Sequence, residues 1–395
     1  MRFRDIAGEN GMFKDGDWIE KKDQNDKGNV RLIQLADIGA GYFKDKSDKR
    51  ITETKAIELN CTYLKKGDIL ITRLGEPLCK ACIFPYEGLY ITAVDIAILR
   101  IGLQEIDSKY LVYLINSPWF KDQVKQYESG TTRKRISRKN LACIDMTFPP
   151  IEEQQRIVTR IEELFSELDS AVETLQKTKQ QLEVYRQAVL KEAFDLFAEK
   201  TTVREMTSIV TSGSRGWAKY YSDNGAMFIR IGNLTHSGIG IDFSDIQHLC
   251  LPENAEGRRS RLVQGDILVS ITADLGSIGL IPENIGEAYI NQHIALVRFN
   301  NKKQSRFMAW YFRSDCGQKE LLKNKRGAGK LGLGLDDIRD SLVPVVSDEV
   351  AELTVANIES RLSVCDGIEK TINEALQQAE AMRQSILKKA FEGNL

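Results

Sequence analysis

Arg186-Gln-Ala-Val-Leu-Lys-Glu-Ala-Phe194 returns as Arg383-Gln-Ser-Ile-Leu-Lys-Lys-Ala-Phe391, with six identities in nine positions at an offset of 197. Self-similarity at a fixed offset settles domain count before any residue is given a task. Working outward, Leu64-Lys-Lys-Gly-Asp-Ile-Leu-Ile-Thr72 matches Leu262-Val-Gln-Gly-Asp-Ile-Leu-Val-Ser270 at 198. Leu32-Ile-Gln-Leu-Ala-Asp-Ile38 matches Phe228-Ile-Arg-Ile-Gly-Asn-Leu234 at 196, and Asp95-Ile-Ala-Ile-Leu-Arg100 matches His293-Ile-Ala-Leu-Val-Arg298 at 198. Four blocks in the same order and register make the chain one unit written twice.

Each Gly-Asp-Ile-Leu block reads as a turn entering a buried strand. Short apolar strands alternate with a few helices, such as the stretch from Tyr110 to Val124, so each copy is expected to be a mixed α+β domain. After Pro149-Pro150, residues from Ile151 to about Phe197 contain no glycine or proline and are dense in helix formers, which predicts a long helix. Steps of three and four give a heptad seam of Ile161, Leu164, Leu168, Ala171, Leu175, Thr178, Leu182, Tyr185 and Val189. The second copy gives Ile358, Arg361, Cys365, Ile368, Ile372, Ala375, Ala379, Met382 and Ile386. The seam spans about 42 Å at the helical rise, longer than one small domain buries, so the two helices are expected to pair. A whole domain between them lets the second run antiparallel to the first. The expected architecture is two similar mixed α+β domains, 1–150 and 200–345, at opposite ends of a rod formed by 151–199 and 346–395, with a pseudo-twofold internal repeat.

Composition narrows the chemistry. The 395 residues suffice for two cores. No apolar run long enough to span a bilayer and no signal-type N-terminus is present, so the expected location is the cytoplasm, without a membrane. Seven scattered cysteines argue for reduced thiols. Cys79-Lys-Ala-Cys82 has metal-ligand spacing but lacks a second pair, and the histidines lie far off, so no metal is expected. The net charge of −1 excludes a uniformly basic coat for nucleic acid and leaves local patches.

Catalytic motifs fail on context. Gly327-Ala-Gly-Lys-Leu-Gly332 has dinucleotide-loop spacing but follows a charged segment where a buried strand is needed, and no Ser or Thr follows Lys330 to make a phosphate loop. Glu53-Thr-Lys55 and Asp107-Ser-Lys109 have the triplet form of a metal-dependent nuclease, a pattern expected by chance at 28% charged residues. No nucleophile elbow is present. Charge stands out instead: Arg133, Lys134, Arg135, Arg138 and Lys139 cluster after Gly130. Lys319, Lys323, Lys325, Arg326 and Lys330 surround the equivalent turn at Gly327. A basic turn in both copies points to DNA phosphates.

Phe148-Pro-Pro-Ile-Glu-Glu-Gln-Gln-Arg-Ile-Val158, the Arg-Gln-Ala-Val-Leu-Lys-Glu-Ala-Phe ending and the paired Gly-Asp-Ile-Leu strands resemble the specificity subunits of type I restriction-modification systems, over nearly the whole chain. The resemblance implies two target-recognition domains, each reading half of a split, asymmetric site in double-stranded DNA, with a helix pair that sets the gap. It implies no active site and no cofactor in this subunit. Two methyltransferase (modification) subunits would dock on the helices and translocating restriction subunits would join them, with S-adenosylmethionine, ATP and Mg²⁺ belonging to those partners. The second copy departs from the pattern, reading Leu342-Val-Pro-Val-Val-Ser-Asp-Glu-Val-Ala351 where the helix-start motif belongs.

On this reading Arg133, Lys134, Arg135, Arg138, Lys139, Lys323, Lys325, Arg326 and Lys330 are candidate phosphate contacts. Gln34, Asp37, Arg73, Arg230, Asn233 and Asp274, on or after the duplicated strands, are candidate base readers. The seam length, about one turn of B-DNA, predicts half-sites about one turn apart. Two rivals are a self-contained methyltransferase or nuclease and a coiled-coil scaffold without DNA binding.

Overall fold

The computed structural model describes residues 1–235, 238–252, 258–326 and 332–393. Two compact units emerge, one of residues 1–175 with 374–395 and one of residues 176–373, so the boundary cuts across both long helices.

In the first unit, strands Met12–Asp15, Ile96–Arg100, Ile69–Thr72 and Ala81–Ile83 form an antiparallel sheet in that spatial order. Ile69 and Ile71 lie in the core beneath helix Ser108–Asn116, whereas Leu70 lies in a second core shared with Ile33 and Phe84. Both faces of the strand are covered, which is why it reads as a continuous apolar run. A smaller sheet joins Arg50–Ile51, Val30–Ile33 and Tyr90–Thr92.

The second unit repeats the plan. Strands Thr207–Ser212, Ile294–Phe299, Ile267–Ser270 and Ile278–Leu280 are neighbours in the corresponding order. Ile267 and Val269 face one core and Leu268 the other. Tyr221–Ser222, Gln247–Leu249, Ala226–Ile229 and Ala288–Ile290 form the companion sheet. The Gly-Asp-Ile-Leu identity has a physical cause beyond the strand. Gly67 and Gly265 adopt φ of +93° and +86°, where glycine alone is unstrained. The following aspartates are buried and forked: Arg100 Nε and Nη2 donate to Asp68 at 2.7 Å each, and Arg298 repeats both bonds to Asp266 at 2.7 Å.

The long helices are Ile151–Phe194 and Asp348–Phe391, 44 residues each. In the first unit Ile161 packs with Leu387 and Ala390, and Arg383 pairs with Asp169. In the second, Arg186 pairs with Asp366 at 2.7 Å and Glu369 at 3.1 Å, while Glu192 pairs with Arg361 at 3.0 Å. Rising numbers on one helix meet falling numbers on the other, so the pairing is antiparallel within each unit. Adding 197 to Asp169 gives Asp366, and adding it to Arg186 gives Arg383, so each unit makes the same ion pair with the helices exchanged.

Every seventh residue of the expected seam is covered by its neighbours: Ile161, Leu168, Leu175, Leu182 and Val189 on the first helix, and Ile358, Cys365, Ile372, Ala379 and Ile386 on the second. The alternate members need correction. Leu164 and Thr178 are half-buried and Ala375 is too, but Ala171, Tyr185, Ile368 and Met382 are exposed, with Tyr185 at 43% and Met382 at 55%. Further covered positions between the sevenths lie one residue later, at Phe165, Val172, Lys179 and Arg186 on one helix and at Leu362, Glu369 and Arg383 on the other. At Lys179, Arg186 and Arg383 the stems cover the seam while the heads reach carboxylates, so an apolar count passes over them.

The altered second helix start is also explained. Gln154, fully buried, donates to Glu105 O and Pro149 O at 2.8 Å and accepts from Asp107 N at 2.9 Å. Its counterpart is Ala351, and the counterpart of Asp107 is Gln304, which donates to Val346 O at 3.0 Å and Asp348 Oδ1 at 2.9 Å. The amide that ties domain to helix has moved from the helix to the domain. No helix among the described residues is long and apolar enough to cross a membrane.

Candidate nucleic-acid interface

Three connections meet at one edge of each unit. In the first, the strand ending at Thr72 leads into the turn Arg73–Cys79, and the loop 93–95 precedes the strand from Ile96. The basic loop is closed by reciprocal backbone bonds between Ser129 and Arg135 at 3.0 and 2.9 Å. Arg135 also bridges Leu74, and Gly75 N donates to Lys134 O at 3.0 Å, so the basic loop lies against the turn. In the second unit Arg326 and Gly332 exchange the same bonds at 3.0 and 2.9 Å, and Gly332 bridges Thr272. A crossing strand end completes each edge. A Cβ on Gly16 would lie 2.2 Å from Ala93 O, and one on Gly213 would lie 1.9 Å from Ile290 O.

A brace holds each turn. Lys121 Nζ donates to Leu78 O at 2.8 Å and Cys79 O at 2.6 Å, and its counterpart Gln318 Nε2 donates to Gly276 O at 2.8 Å and Phe312 O at 2.6 Å. Burial pulls the Lys121 ammonium down to about 8. The same burial pushes the Cys79 thiol up to about 11, leaving it an inert core group.

Of the candidate phosphate contacts, Arg133, Lys139 and Lys325 are exposed and make no ion pair among the described residues. The others hold carboxylates: Lys134 to Glu128 at 3.2 Å, Arg135 to Asp95 at 3.0 Å, Arg138 to Asp15 at 3.2 Å, Lys323 to Glu320 at 2.8 Å and Arg326 to Asp337 at 3.2 Å. Hydrogen bonding to Glu128 raises the Lys134 ammonium above its ordinary value. Lys330, with most of the Gly327–Gly332 segment, lies outside the described residues.

The candidate base readers divide. Asp37 is fully buried and accepts from Gln34 N, Lys46 N and Ser47 N at 2.6–2.7 Å. Asn233, 3% exposed, accepts from Arg230 N at 2.9 Å and donates to Asp242 O and Asp245 O. Both support the turns that follow the duplicated strands. Arg73 is 9% exposed, ion-paired to Asp15 at 3.1 Å and bonded to Val94 O at 2.5 Å. Asp15 therefore gathers Arg73 and Arg138 together. Gln34 is half-buried at the start of its turn. Arg230 pairs with Asp245 at 3.2 Å beside a recess of about 390 Å³ that Asn233, Asp242 and Asn291 also line. Asp274 is exposed and accepts from Ser277 Oγ at 3.1 Å.

Sequence reasoning passed over the loop before the central strand. Thr272 Oγ1 lies 2.7 Å from His293 Nδ1, Gln292 Nε2 lies 2.8 Å from His293 Nε2, and Asn291 Oδ1 accepts from His293 N at 3.1 Å. The signal was present: His293 heads a duplicated block whose other copy begins with Asp95. Among the described residues no group of three or more His, Cys, Asp or Glu side chains could hold a metal ion.

Comparison with known proteins bears on this geometry. Residues 8–184 match a family model described as a type I restriction modification DNA specificity domain. The chain is 24% identical to the EcoBI type I specificity subunit of Escherichia coli, covering 97% of this chain and 82% of that one. It is 26% identical to the StySPI specificity subunit of Salmonella potsdam, covering 73% of this chain and 66% of the relative. A chain solved in work on complex assembly and conformational transition of the type I R-M system shares its fold, with a TM-score of 0.73, 16% identity and 98% of both chains covered. The HsdS subunit from Thermoanaerobacter tengcongensis aligns with a TM-score of 0.52, also at 16% identity over 98% of each chain.

Proposed function

Because the chain belongs to the family of type I restriction-modification specificity subunits, we propose that it is the DNA-reading, non-catalytic member of such a complex. The observation that carries the proposal is the repeated edge: one frame, built twice, presents a basic loop beside two strand-end turns. Each domain reads one half of a bipartite site, lysine and arginine fixing register on phosphates while side chains of the turns meet base edges in the major groove. The helix pair sets the gap. A seam of about 42 Å corresponds to half-sites about one turn of B-DNA apart.

Modification subunits dock on the helices, and S-adenosylmethionine, ATP and Mg²⁺ act in those partners and in the restriction subunits. Footprinting the complex of this chain with its modification subunits tests the reading. Two protected half-sites with an unprotected gap are expected, and one contiguous site would overturn it. Purified chain incubated with DNA, Mg²⁺ and S-adenosylmethionine is expected to leave the DNA unchanged, and turnover would instead favour a self-contained enzyme. Steep salt dependence separates DNA reading from a scaffold role, since phosphate contacts release counterions.

A further inference from the structure

The frame residues of the two edges agree in chemistry, and the residues they carry do not. Asp68 and Arg100 match Asp266 and Arg298, Gly16 matches Gly213, and the Lys121 brace matches that of Gln318. At the edge itself, Ala93-Val94-Asp95 stands where the second copy has Asn291-Gln292-His293. The first edge is ionic, with Asp15 holding Arg73 and Arg138, and Asp95 holding Arg135. In the second, the loop before the central strand carries neutral donors and acceptors in place of Asp95, tied into a chain by Thr272 and His293.

Neutral amides gain little from phosphates but match base edges, and an asparagine or glutamine amide fits adenine N6 and N7 at once. Gln292 is half-buried and fixed from one side by His293. Among the described residues nothing else engages its carbonyl oxygen. Its neighbour Asn291 lines the recess beside Arg230. Resting on the DNA-reading function above, we propose that Gln292 is a base-reading residue of the second domain. It is positioned by His293 and Thr272, and it recognises an adenine in that domain's half-site.

The test uses the complex of this chain with its modification subunits, challenged with a random duplex library at fixed salt. Wild type, Gln292→Ala and Gln292→Glu are compared by the sequences they retain. Gln292→Ala is expected to lower the preference for adenine at one position of one half-site by about tenfold and to leave the other half-site unchanged. Gln292→Glu keeps the size but only accepts, so preference at that position is expected to move toward cytosine, whose N4 donates. If the alanine variant fails to fold, the glutamate variant decides alone. Unchanged preferences, or uniformly weaker binding with every position equally selective, would overturn the assignment of Gln292. Failure of the wild-type complex to select any sequence would overturn the DNA-reading function itself.

Discussion

Asp266 has no exposed side-chain surface and meets both arms of Arg298 at 2.7 Å, while its second role is to accept Val263 N at 2.8 Å and pin the turn behind Gly265. Asn at this position keeps the shape but leaves a buried guanidinium edge without its counter-charge. Because Arg298 keeps 21% of its surface in water, the cost falls at the lower end for a broken buried pair, about 3 kcal/mol. Asp266→Asn is expected to lower the unfolding midpoint of the second unit by that equivalent, measured by urea titration, and a shift under 1 kcal/mol would show the fork to be dispensable. Lys121 gives a pH-dependent counterpart. Its folded value, about 8, lies below the ordinary 10.5, so between these values the unfolded chain holds a proton that the native chain has released. Stability from this group therefore rises with pH across that window. The thiols of Cys79 and Cys82, pushed up to about 11 and 12, act in the opposite direction from about pH 9. The difference between wild type and Lys121→Met isolates the lysine. It is expected to grow in favour of wild type by about 2 kcal/mol from pH 7.5 to 9.5, and a flat difference would contradict a buried ammonium.

Along the helices, coverage alternates by sevens, and the positions between them decide which face is sealed. Leu362, 6% exposed, and Ile372, 4% exposed, are covered, whereas Met382 is 55% exposed. Leu362→Ala and Ile372→Ala are each expected to cost about 2–4 kcal/mol, and Met382→Ser less than about 0.5 kcal/mol, read from thermal unfolding. Equal costs at all three would return the seam to the phase that an apolar count gives. The sequence pattern found both helices, the start of the first at Ile151 and every seventh residue of the seam, because those signals are local and repeated. It missed Arg186 and Arg383, because a charged head says nothing about where its stem lies. The strands were legible for the same local reason: Ile69–Thr72 and Ile267–Ser270 are apolar on both faces. The edge was less legible. Asp37 and Asn233 looked like readers because they follow duplicated strands, yet a turn with three or more unpaired backbone groups needs a polar side chain inside it. Nothing local separates an aspartate that supports a turn from one that faces solvent.

At the scale of the molecule, 55 basic and 56 acidic residues cancel, so long-range attraction to DNA cannot come from the chain as a whole. Affinity must arise where cations are free of internal partners or exchange them at little cost. Arg133 and Lys139 are exposed without an ion pair among the described residues, while Lys134 and Arg135 must release Glu128 and Asp95 before they can hold phosphate. Exposed pairs are worth under about 1 kcal/mol each, so that exchange is cheap but gives less counterion release per contact. The double variant Arg133→Ala/Lys139→Ala, in complex with modification subunits, is expected to flatten the dependence of log K on log salt by about 1.8, or 0.9 for each lost contact. Lys134→Ala should flatten it by less. Because phosphates are the same in every sequence, the selected half-sites should not change in either variant. A slope left at its wild-type value would place the basic loop away from the DNA backbone, and a changed half-site would make Arg133 or Lys139 a reader of bases.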